Sequence, residues 1–220
     1  MAEAATSSSD PTRAKLLEAA GQVFAEHGFH SATVREICSR AGANVAAVNY
    51  YFGDKVELYE EVLRQAVFAA PDSSMREALS KLQPKDALRR AIRYMLGKLC
   101  SASRPSWTMR LMAHEMAQPT PALARVVDEI IAPNYNMLRR IIGSMLELGP
   151  DHEKTRLCAH SVIGQVLHYV HARPVISRLW PDLQMTEEGM DHIAQHIADF
   201  SLAYLKAYPK TNLKTGRKAS

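Results

Sequence analysis

The stretch from Thr33 to Lys55 constrains this chain more than any other, because it holds two helices too short to stand alone, joined by a turn that favours glycine. Thr33 and Glu36 have the spacing of a capping box, in which the hydroxyl accepts from the third helical N–H and the carboxylate reaches back to the cap's own N–H. A helix therefore starts near Thr33. Val34, Ile37, Cys38 and Ala41 repeat at i, i+3, i+4 and i+7 as one apolar stripe, and Gly42 follows where a left-handed C-cap is needed. Asn44 then caps a second short helix, with Val45, Val48 and Phe52 expected inside and Ala46, Ala47, Asn49 and Tyr50 outside. This is the helix-turn-helix pattern, whose second helix is the one offered to a DNA major groove.

The outer face of that second helix decides between reading and mere packing. Small residues let a backbone approach DNA, Asn49 can pair with an adenine edge, and the tyrosine hydroxyls can reach phosphates. A solvated face would carry Lys and Glu instead. Asp54 and Glu57 repeat the capping spacing, so a further helix begins near Lys55 and sets that ammonium beside free N–H groups where a phosphate can sit. Spacing alone also admits a three-helix cluster with no ligand.

The series Thr33, Ile37, Ala41-Gly42-Ala43-Asn44, Val48-Asn49-Tyr50-Tyr51-Phe52-Gly53-Asp54-Lys55 and Leu58-Tyr59, behind a helix ending in Phe24-Ala25-Glu26-His27-Gly28-Phe29, strongly resembles the DNA-binding domain of the TetR family. The likeness runs without a gap over residues 12 to 63. It implies an all-helical fold: a three-helix helix-turn-helix domain followed by a helical ligand-binding and dimerisation domain, in a homodimeric regulator, usually a repressor. By position, the resemblance assigns Thr33 and Lys55 to phosphates, Arg35, Asn44, Ala46, Ala47 and Asn49 to bases or sugar edges, and Tyr50 and Tyr51 to the backbone or thymine methyls. The chain departs from many members at Asn44-Val45-Ala46-Ala47 and at Asn49-Tyr50-Tyr51-Phe52, so no base preference carries over.

With 220 residues, 47% of them hydrophobic and 23% charged, the chain can build a core without staples. Cys38, Cys100 and Cys158 are odd in number and far apart, which suggests neither a disulfide framework nor a Cys-based zinc site and suits a reducing cytoplasm. No apolar run reaches the length of a membrane span, and Met1 to Ser9, small and polar, reads as a disordered leader without a secretory pattern. Charge gives no simple footprint of nucleic-acid binding. Pro11 to Arg64 carries six basic and seven acidic residues, and the net +4 comes from Lys206, Lys210, Lys214, Arg217 and Lys218 near the end. That basic tail, residues 209–220, either attracts phosphate without specificity or is simply solvated.

Asp10 and Pro11 open the first helix, whose Leu16, Leu17, Ala20, Val23 and Phe24 form one face up to Gly28. Leu58, Tyr59, Val62, Leu63 and Ala66 continue as a fourth helix. Breakers between about 68 and 84 place the domain boundary there, with residues 10–68 as the DNA-binding domain and 69–208 as the second. Further helices are expected around Leu88 to Leu99, over 107–117, 122–148 and 151–172, and from Thr186 to Tyr208. No strand pattern and no repeat occurs.

Two features of the second domain point to function. Trp107, Met112, His114, Glu115, Met116, Tyr135, His168 and Tyr169 offer apolar, adaptable side chains with a few polar groups, suited to an effector pocket; a methionine-rich core is the plainer reading. The segment from Arg110 to Leu123 also resembles the CerR-type C-terminal domain of one branch of the family. His168 with His171, and His192 with His196, share helical faces that together could hold a divalent cation, but neither pair has the metallopeptidase arrangement, so no metal and no cofactor is expected. The resemblance instead implies that the last two long helices pair with their mates in a four-helix bundle, with Cys158, Val162, Val166, Ile193, Ile197 and Tyr204 as the seam.

No phosphate-binding loop, nucleophile elbow or paired carboxylates mark an enzyme. The expected function is a cytoplasmic, ligand-responsive DNA-binding regulator whose partners are a near-palindromic operator, a small-molecule effector and a second copy of the chain, with no membrane. The alternatives are an effector-independent nucleoid or adaptor protein on the same fold, and a metal-binding helical enzyme.

Overall fold

The computed structural model of the protein describes residues 10–67, 73–101 and 104–207, and every regular element within them is helical. The expected leader and basic tail lie outside the described residues. In chain order the helices are α1 (Pro11–Ser31), α2 (Val34–Ala41), α3 (Val45–Phe52), α4 (Lys55–Ala66), α5 (Ser73–Ser80), α6 (Pro84–Cys100), α7 (Thr108–Ala117), α8 (Pro121–Val126), a π-helical turn (Val127–Ile131), α9 (Ala132–Leu146), α10 (Glu153–His171), α11 (Arg173–Leu179) and α12 (Glu187–Ala207). They fall into two compact units, one of α1–α4 with α7, α8 and the π-helical turn, the other of α5, α6 and α9–α12.

In the first unit, Asp10 accepts the Thr12 N–H at 2.8 Å and Pro11 fills the first helical position, which fixes the start of α1. Leu16, Leu17, Ala20, Val23 and Phe24 are all buried, as the period demands. The regular helix breaks at Gly28, where φ is 71°. Phe24 and Phe29 close on the Tyr59 ring of α4 at centroid distances of 4.7 and 4.8 Å. The Trp107 indole, just ahead of α7, fills a notch on α1 left by Gly21, where a Cβ would stand 2.2 Å from the ring. Its N–H donates to Glu18 at 3.0 Å.

A buried carboxylate ties α4 to α7 and α8. Tyr59 donates its phenol proton to Glu115, whose other oxygen accepts the Thr120 N–H at 2.7 Å and its hydroxyl at 2.9 Å. Burial first, and then the Glu115 carboxylate, push the Tyr59 phenol well above the usual tyrosine range. Arg64 reaches Glu129 at 2.8 Å, and Arg125 reaches the buried Glu60 at 2.7 Å.

In the second unit α6 packs against α12 and α10, burying Leu88, Ile92 and Leu96 with Ile193, Ile197, Val162 and Val166. Arg89 meets Asp199 at 2.8 Å, and Arg93 pairs with Asp191 and Glu187. Two elements depart from the sequence expectation. Helix α5 lies inside the stretch expected to be irregular, held by Leu79 against Ala87 and Ala91. The helix expected over 122–148 is interrupted by the π-helical turn, in which the Ala132 N–H reaches back to Val127; Pro133, which has no N–H to give and would clash in an ordinary turn, accounts for it.

Gly21→Ala tests the Trp107 notch. Alanine for glycine inside a helix ordinarily gains about 1 kcal/mol. Here the methyl meets the indole, and overpacking of roughly 1–3 kcal/mol outweighs the gain. The urea-unfolding midpoint should fall in the parent and rise in a Trp107→Ala background.

Candidate nucleic-acid interface

The turn between α2 and α3 is built by local hydrogen bonds. Thr33 accepts the Glu36 N–H at 3.2 Å. The expected return bond does not form, because the Glu36 carboxylate turns to His27 at 3.2 Å and Arg40 at 3.4 Å. Gly42 takes left-handed angles, φ 65° and ψ 35°, and donates to the Ser39 carbonyl at 3.3 Å while Ala43 donates to that of Cys38 at 2.9 Å. This closes α2 with its carbonyls satisfied. The Cys38 thiol, its pKa raised by burial, donates to the Asn44 carbonyl at 3.4 Å. Asn44 in turn accepts the Ala47 N–H at 3.0 Å, so its side-chain oxygen is spent on starting α3.

Helix α3 turns Val48 and Phe52 into the core and leaves Ala46, Asn49 and Tyr50 exposed, the last by 68%. Three placements differ from expectation. Ala47 is partly buried against the core. Val45, expected inside, is 47% exposed. As the first helical residue it stands over the turn ahead of α3 rather than over the core. Tyr51 turns back to α1, donating its hydroxyl to Asp10 at 2.5 Å; that bond is the main reason the Asp10 carboxyl sits below its usual range and the phenol above its own.

The cations divide by their commitments. Arg35 is exposed and has no ion pair or hydrogen bond among the described residues. Arg40 is bound through both terminal nitrogens to Glu26, at 2.7 and 2.8 Å, which holds that carboxyl below its usual range. Lys55 follows the Asp54 cap of α4, donates to the His30 carbonyl at 3.4 Å and lies 4.6 Å over the Phe29 ring. Burial pulls its pKa down.

The effector-pocket residues expected from sequence divide between the two units. Trp107, Met112, His114, Glu115 and Met116 belong with α1–α4. There Trp107 and Glu115 have the structural duties described above, Met112 is packed partly buried against the same core, His114 lies beside Gly28, and Met116 is exposed. Tyr135, His168 and Tyr169 are in the second unit, Tyr135 within 3.2 Å of His160 and His168 edge-on to Tyr169. Of the expected dimer seam, Cys158, Val162, Val166, Ile193 and Ile197 are buried within their own unit, and Tyr204 is exposed. The strongest apolar stripe of each helix went to the unit's own core, which leaves Leu157, Leu167 and Phe200 outside with Tyr204. The four histidines at 168, 171, 192 and 196 are exposed. Among the described residues the one set of three metal-competent side chains is Glu26, His27 and Glu36, and Arg40 already engages both glutamates. No described helix is long and apolar enough to cross a membrane.

The family model of bacterial regulatory proteins of the tetR family matches residues 16–62, and that of the C-terminal domain of the HTH-type transcriptional dual regulator CecR matches 84–205. The chain belongs to the TetR family. The branch is that of CecR, which corrects the CerR label given above. CecR of Shigella flexneri is 30% identical over 185 residues, 76% of this chain and 78% of the relative. The HTH-type transcriptional repressor BepR of Brucella suis is 25% identical over 133 residues, 60% of this chain and 63% of the relative. The crystal structure of the transcriptional regulator FadR from Bacillus subtilis in complex with stearoyl-CoA shares the fold, with a TM-score of 0.60 at 16% identity over 86% of this chain and 97% of that one. As a TetR-family member the chain is a DNA-binding transcriptional regulator.

The clasp between Tyr51 and Asp10 has a pH signature. The Asp10 carboxyl is lowered from 3.8 on folding, so the clasp stabilises fully above that value and its contribution is lost as pH falls through the lower, folded value. Tyr51→Phe should therefore unfold at lower urea than the parent at neutral pH, and the gap should narrow as pH falls below 3.8.

Proposed function

We propose that the chain is a homodimeric repressor that releases a near-palindromic operator when a small molecule binds its C-terminal helices. The observation that carries this reading is the outward face of α3, where Ala46, Asn49 and Tyr50 stand exposed, while Arg35 of α2 is exposed and has no ion pair or hydrogen bond among the described residues. Asn49 pairs with an adenine edge, Ala46 and Ala47 admit the backbone, Asn44 offers its amide N–H groups to a sugar or base edge, and Arg35 reaches a base or phosphate. Thr33, Lys55 and the Tyr50 hydroxyl take phosphates. Tyr51, clasped to Asp10, positions the helix.

Pairing is assigned to the exposed side of α10 and α12. Leu157, Phe200 and Tyr204 edge a groove of about 170 Å³ there, and a second copy would cover it, setting two reading helices roughly 34–36 Å apart or somewhat more. The effector is supported by FadR, which holds stearoyl-CoA on the same fold, and repression by the sense named for BepR. The effector favours a dimer whose reading helices no longer fit both half-sites, and DNA must weaken effector binding by the same factor.

Selection of bound fragments from sheared DNA should enrich a palindrome. On that operator Asn49→Ala should relax base preference, while Lys55→Ala weakens all sequences alike with a salt slope shallower by about 1 per half-site. If both variants bind every site like the parent, the assignment of α3 is wrong. An operator that no small molecule releases would leave the effector-independent adaptor.

A further inference from the structure

We infer that Val45 determines specificity by reading a thymine methyl group in each half-site. The inference rests on the assignment of α3 to the major groove proposed above. Val45 opens α3 and is 47% exposed, although its periodicity would bury it. It is β-branched, so its methyl groups are held in one preferred rotamer and little side-chain entropy is lost on docking. The first residues of a reading helix are those that meet base edges.

A valine side chain has no donor or acceptor, so it cannot discriminate the polar pattern of a base pair. The one apolar group that a natural base presents in the major groove is the C5-methyl of thymine. Val45 and Asn49 stand at i and i+4 on one face of α3, separated along its axis by about 6 Å, or roughly two base-pair steps. Ala46 beside them is exposed and adds no atom beyond Cβ to hold the groove away. Asn49 suits an adenine and Val45 a thymine, so each half-site contains both within about two steps.

The test uses the full-length protein and the selected operator, with each thymine of the half-sites replaced singly by deoxyuridine, which removes only the methyl. Binding is measured at fixed salt for the parent, Val45→Ala, Asn49→Ala and Tyr50→Ala. At one thymine per half-site, loss of the methyl should weaken the parent about fourfold, weaken Tyr50→Ala by the same factor, and leave Val45→Ala unchanged. If every deoxyuridine penalty is as large in Val45→Ala as in the parent, or if the penalty vanishes in Tyr50→Ala instead, Val45 does not read the methyl. Should Asn49→Ala relax base preference while Val45→Ala keeps all penalties, the reading helix stands and this inference alone falls. Should both variants discriminate like the parent, α3 is not the reading helix and both fall together.

Discussion

A carboxylate buried as deeply as that of Glu115 costs several kcal/mol unless its oxygens are paired, and in this protein the pairing decides how the DNA-binding end is assembled. Its donors are the phenol of Tyr59 and the N–H and hydroxyl of Thr120. Because Tyr59 is also wedged against Phe24 and Phe29, α4 is fixed at both the ring and the hydroxyl. Trp107 does the same for α1 through the notch at Gly21. The helix-turn-helix is therefore no self-sufficient three-helix cluster. It takes part of its floor from α7 and α8, which follow it in the chain only after α5 and α6.

That dependence marks where the sequence could be read and where it could not. The caps at Asp10, Thr33, Asn44 and Asp54, the left-handed Gly42 and the buried stripe of α1 were legible because each rests on residues a few positions apart. Trp107 and Glu115 looked like pocket residues because their partners, Gly21, Glu18 and Tyr59, lie far away in sequence. Helix α5 was missed because packing on α6, not local propensity, sustains it. Periodicity finds the strongest apolar stripe of a helix. In α10 and α12 that stripe lines the unit's own core, and the weaker row of Leu157, Leu167, Phe200 and Tyr204 is left to face outward. Val45 was misread for the converse reason: the period continues through a helix start, while the core does not extend over the first residue.

Charge tells a similar story at the interface. Residues 11–64 are close to neutral in sum, and several of their cations are already engaged: Arg40 by Glu26, Arg13 by Glu61 and Arg64 by Glu129. Counterion release scales with the number of phosphates neutralised, so a surface with few free cations gains little from it. On the function proposed above, discrimination then falls to the shape and chemistry of a single short helix face, where small, amide and apolar groups act at close range.

The clasp between Tyr51 and Asp10 fastens the end of α3 to the very start of α1. The chain at Asp10 therefore enters the fold next to the helix-turn-helix. A purification tag or fusion partner joined directly ahead of Asp10 would be anchored there, beside the end of α3. For this protein, a label joined at that point shares its anchorage with the helix-turn-helix.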